Sequence, residues 1–328
     1  MGLKAAVKRA VAQPTVWRAT SALRAPGWVV LTYHRIGAAG EPMTHLPASV
    51  FRDQMRWIRA NCDVIDPQSL SNRAPGLGRR RPAVLVTFDD GYRNYLEHAC
   101  PVLREFDIRA INFLPTRYVD ESRPFWWDLV DTAARTTRCE RAVLPATDGR
   151  MIDLDQDGRR RFARHCKNVL KKIASPDQSP ILDEALAALG FGRAEVPLSR
   201  QVMTWDEVRA ASDVTTVGAH THTHPIMSLL DPRSLDQEIA VCSERISAEL
   251  GARPRFFAYP SGAFNDDARM AVQRAGYEVA FTTVEGFNTG TIDWLTLNRM
   301  HARPTLPELA WMLTGWDGRM TVSNETSS

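Results

Sequence analysis

Two short stretches of this 328-residue chain concentrate side chains that can hold a metal ion and move a proton. In the first, Val84-Leu85-Val86-Thr87-Phe88 runs directly into Asp89, Asp90 and Gly91. An apolar strand that ends in carboxylates delivers them to its C-terminal end, where α/β barrels keep their active sites. Successive strand residues face opposite ways, so both acids can serve one site only if the chain turns there. Gly91 supplies a backbone that can turn. A single Asp-Gly is commonly no more than a helix cap or a turn; two acids after so apolar a run are harder to account for in that way.

The second stretch is Gly218-Ala219-His220-Thr221-His222-Thr223-His224-Pro225, again after an apolar run. Neutral imidazole is the commonest protein metal ligand. If the segment stays extended, all three histidines lie on one side; if it turns helically, only His220 and His224 share a face. The turn is the expected arrangement, with Thr221 and Thr223 bracing it and His222 a neighbour, not a ligand. One carboxylate and two imidazoles leave coordination positions open, which marks a catalytic and not a structural metal site. A metal there would lower the pKa of bound water toward ~7 and polarise a carbonyl, and the second carboxylate would take the proton.

Residues 87–92, and His220 to His224 after a glycine, resemble the two signature motifs of the polysaccharide deacetylases, carbohydrate esterase family 4, which share the NodB homology domain. Further segments of that family are matched in order by Leu31-Thr32-Tyr33-His34-Arg35-Ile36, by Met203-Thr204-Trp205-Asp206, and by Phe257-Ala258-Tyr259-Pro260-Ser261-Gly262 followed by Gly276-Tyr277. Each motif alone is moderate evidence, and their ordered co-occurrence over residues 28–303 is strong evidence. The resemblance implies a distorted (β/α)7 barrel and removal of N-acetyl groups from N-acetylglucosamine-type sugars. It also implies Asp89 as the general base, with Asp90, His220 and His224 holding a divalent metal, usually zinc.

In the family's third motif, implied here to be the substrate-binding Tyr259, Pro260 and Ser261, the N–H of Ser261 would help hold the oxyanion. The arginine that precedes this element in the family is Ala258 here, so Asp89 must be oriented by another group. The family's acid is a late Leu-x-His histidine, for which His301 in Leu297-Asn298-Arg299-Met300-His301 is the candidate, although its spacing is closer to subgroups with an Arg-aliphatic pair there. His34 is expected to be structural or pocket-lining. Trp126, Trp127 and Trp294 could stack on sugar faces, but core packing is the commoner fate of tryptophan.

Stepping outward from these residues, β-branched runs at 28–33, 83–88, 109–114, 214–219, 255–259 and 278–283 have the look of buried strands. Helical periodicity at 49–60, 92–106, 234–250 and 266–275 gives the alternation of parallel βα units. The expectation is one α/β domain over residues 28–305 with a helical insertion at about 118–199. A basic amphipathic segment at 1–27 would precede it and a tail at 306–328 would follow.

The 41 basic and 38 acidic residues nearly balance, which argues against a nucleic-acid partner. Five widely spaced cysteines without a C-x-x-C pair fit a reducing compartment. There is no secretory h-region and no apolar run of the ~20 residues that a membrane span needs. The segment before Glu41 holds basic and apolar residues but no acid, a pattern suited to peripheral contact with an anionic membrane. Together these lead to the expectation of a cytoplasmic enzyme, with peripheral contact at the inner membrane face and an N-acetylated polysaccharide, oligosaccharide or lipid-linked glycan as substrate. Three rival readings are an iron oxygenase with a two-histidine, one-carboxylate site, an amidohydrolase using His220-x-His222, and a carbohydrate-binding protein on the same fold that has lost turnover.

Overall fold

Side-chain alternation along the strands sets the architecture. In β1 (Trp28–Tyr33) and β2 (Ala83–Asp89) every residue is buried, because both faces of the sheet are covered. Trp28, Val30 and Leu85 belong to a core shared with Ile111, Phe113, Phe256 and Phe281. Their neighbours Val29, Leu31, Val84, Val86 and Phe88 belong to a second core that includes the surrounding helices. The computed structural model describes residues 3–21, 27–38, 45–72, 81–121 and 123–316. Arg79 and Arg80 of the basic run Arg79-Arg80-Arg81, and the chain-end residues 322–328, lie outside them.

Besides the two-residue strand Asp63–Val64, which pairs with the start of β2, the sheet contains β3 (Ala110–Leu114), β4 (Thr215–Ala219), β5 (Phe256–Ala258), β6 (Val279–Phe281) and β7 (Met300–His301). They form a curled parallel sheet in the order β6-β5-β4-β3-β2-β1-β7. Beyond β6 the gap is spanned by the approach to β7: Leu297 N–H donates to the Ala280 carbonyl and Thr282 N–H to the Leu297 carbonyl, each at 2.9 Å. Three residues later Met300 pairs with Leu31, and then His301 with Thr32. This is the distorted (β/α)7 barrel expected. Six of its strands fall on the β-branched runs; β7, two residues long, has too little sequence to show a period.

Around the sheet lie α1 (Leu3–Val11), α2 (Pro14–Ser21) and α3 (Ala48–Asn61). Pro14 starts a new helix, as a residue without an N–H should. The N-terminal segment is part of the domain: Val11 and Trp17 are buried, and Trp17 meets Trp57 edge-on at 4.7 Å. Trp57 Nε1 in turn donates to the Ala12 carbonyl at 3.0 Å. The helix expected over 92–106 is present from Arg93, and its middle is a π-turn, Tyr95–Ala99, that leads into α4 (Cys100–Glu105).

The insertion is built from α5 (Trp126–Thr136), α6 (Gln156–Leu170) and α7 (Pro180–Ala188) around its own small core of Leu129, Val130, Phe162, Cys166, Leu182 and Leu186. It also contains an antiparallel hairpin, Arg141–Val143 with Met151–Asp153, in a region of polar and helical stretches whose sequence shows no strand signal. Its attachment to the barrel is polar and buried: Arg35 is paired with Asp128 of α5, and its guanidinium lies 3.8 Å over the Tyr92 ring. The chain returns through α8 (Trp205–Ala210), α9 (Pro232–Leu250), α10 (Asp266–Arg274) and α11 (Leu306–Leu313). Residues 306–313 are thus not a tail. Leu309, Ala310, Met312 and Leu313 are buried, and α11 packs on α1 and α3. None of the five cysteines is in a disulfide. Among the described residues no helix is long and apolar enough to cross a membrane.

Candidate active site

The carboxylate pair turns at Asp90 itself. Asp90 has φ 73° and Gly91 φ 64°, so two successive residues are left-handed. This rotates Asp90 back toward the side on which Asp89 already points, at a strain that a non-glycine residue bears only where surrounding structure enforces it. Gly91 has a second reason to be glycine: a Cβ there would lie 2.6 Å from Leu114 Cδ2.

The histidine segment does turn, though through left-handed Thr221 (φ 64°) and His224 (φ 58°), not through a helical turn. Thr221 Oγ1 accepts from the His224 N–H at 3.1 Å. Glu238 of α9 accepts from the N–H groups of His222 and Thr223 at 2.9 and 2.8 Å and from the Thr223 hydroxyl at 2.7 Å. The loop's orphan donors therefore converge on one carboxylate. His220 and His224 come together with ring centroids 4.7 Å apart. His222 is directed elsewhere, its Nδ1 3.0 Å from Thr116 Oγ1, so the paired ligands of an amidohydrolase site are not assembled.

Asp90, His220 and His224 offer three ligand atoms within 4.8 Å of one another, all from buried residues. Asp90 Oδ1 lies 3.7 Å from His220 Nε2 and 3.4 Å from His224 Nε2. It is buried without a hydrogen-bond partner. Burial, then the charges of Asp89 and Asp128, push the Asp90 carboxyl well above its ordinary range. Burial also lowers both histidines, which keeps them in the neutral form that a ligand needs. His220 Nδ1 sits 2.7 Å from the Ala258 carbonyl, so that nitrogen carries the proton and Nε2 is left as the donor atom. An orphaned carboxylate oxygen facing two neutral imidazoles fits a divalent cation.

Asp89 is held by a group that sequence reasoning missed. Arg299 donates from Nη1 to Oδ1 at 2.7 Å and from Nη2 to Oδ2 at 2.8 Å. Its Nε donates to the Thr282 carbonyl at 2.7 Å, and only 1% of its side chain is exposed. Burial alone would raise the Asp89 carboxyl, but Arg299, helped by His220 and His34, outweighs it and holds the group below the usual carboxylate range. The signal for Arg299 was present as an arginine two residues before His301, immediately ahead of β7. Residues two apart on a strand share a side.

These groups open into a cavity of about 420 Å³. His34 and His301 both reach it, with ring centroids 6.4 Å apart, and His34 Nε2 is 3.9 Å from Asp89 Oδ2. Of the three residues expected to bind substrate, Ser261 alone lines the cavity. Tyr259 and Pro260 are buried, and the Tyr259 hydroxyl donates to the Leu295 carbonyl at 3.1 Å. Strand alternation sends Tyr259 into the outer core, which corrects its assignment as a substrate contact. The Ser261 backbone is left-handed (φ 54°), and the turn's own bonds run from Gly262 and Ala263 to the carbonyls of Tyr259 and Pro260, so the turn does not use the Ser261 N–H. Trp127 lines the cavity, stacked on Phe125 at 4.4 Å and 4.7 Å from the His224 ring. Trp126 also borders the cavity but is buried in the insertion's core; Trp294 instead packs against Trp28.

A model of the family described as "Polysaccharide deacetylase" matches residues 77–178 and 183–280. The chain belongs to this family. Among curated relatives, the poly-β-1,6-N-acetyl-D-glucosamine N-deacetylase of Escherichia coli K12 is 23% identical over 295 residues, 87% of this chain and 38% of that protein. Bacillus subtilis YlxY is 34% identical over 86 residues, 26% of this chain and 25% of its own length. The chain thus spans well under half of both relatives. Of solved structures, IcaB from Ammonifex degensii aligns with TM-score 0.59 at 19% identity, covering 89% of this chain and 98% of that one. The Streptococcus pyogenes deacetylase PplD aligns with TM-score 0.57 at 17% identity, covering 88% and 98%. At these identities the likeness to solved structures carries the barrel, and the polysaccharide deacetylase site has to be argued from this chain's own residues.

Proposed function

We propose that this chain is a metal-dependent N-deacetylase of N-acetylglucosamine-type sugars in a glycan, hydrolysing the amide to acetate and a free amine. The observation that carries the reading is the contrast between two adjacent carboxylates. Asp90 presents an unpartnered oxygen to two neutral imidazoles, while Asp89 is charged and gripped by Arg299. Asp90, His220 and His224 would hold the ion, and zinc suits this nitrogen-and-oxygen donor set. When bound, such an ion supplies Lewis acidity toward water and the acetyl carbonyl.

The chain's own residues divide the rest of the work. Asp89 takes the proton from the attacking water, and the Arg299 fork fixes both of its oxygens so that the carboxylate cannot swing to the metal as a ligand. Water's oxygen adds to the carbonyl carbon, and the Ser261 N–H faces the resulting oxyanion. When the C–N bond breaks, the leaving amine needs a proton, which we assign to His301 at the open side of the cavity, with His34 beside it. The test is acetate release, with metal content measured in parallel, across N-acetylated oligosaccharides with added zinc. Metal bound at one equivalent but no acetate from any of them would sink the reading.

A further inference from the structure

The insertion contributes Trp126, Trp127, Asp131, Lys167 and Lys171 to the lining of the cavity, a wall with a net positive charge. Trp127 and Asp131 of α5 are four residues apart and so share a helix face, as do Lys167 and Lys171 at the end of α6. All four line the same 420 Å³ cavity as Asp89, Asp90 and His220. Lys167 Nζ binds both oxygens of Asp131, at 2.8 and 2.9 Å. Lys171 is exposed and has no ion-pair partner among the described residues. This part of the lining thus carries two ammonium groups and one carboxylate, and the carboxylate is paired with Lys167, which leaves the charge of Lys171 unbalanced.

Lysines at a helix C-terminus are common as dipole partners, and solvent alone would satisfy them on an outer face. Here they border a cavity comparable to small-molecule pockets of ~300–1,000 Å³, so a ligand reaching the carboxylates also meets the lysines. A neutral N-acetylated sugar has no group that needs an ammonium.

We propose that Lys167 and Lys171 bind an acidic group, phosphate or carboxylate, carried by the N-acetylated sugar or its neighbour, and that the insertion thereby selects acidic over neutral glycans. The identity of the bond cut rests on the deacetylase reading; recognition of the acid does not. Lys167, oriented by Asp131, supplies a fixed donor, and Lys171 the uncompensated charge.

The test measures binding by calorimetry and, separately, acetate release, with the zinc-loaded full chain. The probes are N-acetylglucosamine 1-phosphate, an N-acetylglucosamine–glucuronic acid disaccharide and neutral diacetylchitobiose. At least one acidic probe should bind about tenfold tighter than the neutral one, and the advantage should shrink as salt rises. Lys171→Met should cut the acid-to-neutral ratio roughly five- to tenfold and Lys171→Arg should restore it. Which acidic probe responds separates phosphate from carboxylate. Equal affinity for all three probes, or a Lys171→Met loss equal for acidic and neutral probes, overturns the proposal. Acid-selective binding without acetate from any probe would leave it standing and remove the deacetylase reading instead.

Discussion

Arg299 grips Asp89 with both arms of its guanidinium, at 2.7 and 2.8 Å, from the residue just before β7, 210 residues further along the chain. Charged, planar and buried, this pair is the site's main device for keeping two adjacent carboxylates in different roles. The ion pair is fully desolvated, so breaking it leaves a naked buried charge, at a cost of about 3–5 kcal/mol.

Arg299→Met should therefore lower stability by about that amount in urea unfolding. Arg299→Lys keeps the charge but loses the fork, and should fold while losing rate. The expected drop in kcat is at least about tenfold with zinc still bound. Unchanged kcat in Arg299→Lys would mean that the fork does not orient the base.

Asp89→Asn and Asp90→Asn should fail differently. A general base contributes typically ~10²–10⁴-fold to rate, so Asp89→Asn should cut acetate release by about that factor at constant metal content. Asp90→Asn and His224→Ala should lose metal and activity together. Metal analysis after gel filtration decides it, and a reversed pattern swaps the two roles.

Glu238 collects three donors of the histidine loop and should act on metal affinity without touching the metal. Glu238→Ala should weaken zinc binding by about 10–100-fold, the usual effect of losing an outer-shell partner. His222→Ala, which removes only a ring directed at Thr116, should keep zinc in place. Competition with a chromogenic chelator measures both, and metal loss from His222→Ala would count against the ligand set.

His301 and His34 both reach the cavity, and their roles separate by leaving group. A general acid matters when the leaving amine must be protonated and hardly matters for an activated aryl ester. His301→Ala should cut hydrolysis of the N-acetyl sugar by about 10²-fold or more while sparing 4-nitrophenyl acetate. If His34→Ala shows that pattern and His301→Ala does not, the proton comes from His34.

Trp17 belongs to the barrel's outer core, buried against Trp57. Trp17→Ala should cost about 3–5 kcal/mol, so deleting residues 1–25 should destabilise the domain and not merely detach a flexible arm. Thermal melts of the truncated chain that match the full chain would contradict this packing.

Much of this protein was legible before any tertiary contact was known, and the reason is local. Parallel strands covered on both faces must be apolar, so β1 to β6 announce themselves as short β-branched runs. Carboxylates and imidazoles placed directly after such runs, as Asp89-Asp90 and His220 to His224 are, can only emerge at strand ends. What stayed hidden depends on contacts distant in sequence. The partner of Asp89 is Arg299, because β7 closes the sheet against β1, a pairing that two residues of strand cannot encode by periodicity. The turn at His220 to His224 was foreseeable, but its left-handed residues and its brace by Glu238 come from the packing of α9. Tyr259 looked like a substrate contact until strand alternation carried it into the core. The cationic wall of Lys167 and Lys171 faces the carboxylates because Arg35 and Asp128 dock the insertion over the barrel mouth, and the energy of a buried ion pair between distant segments is written in no local pattern.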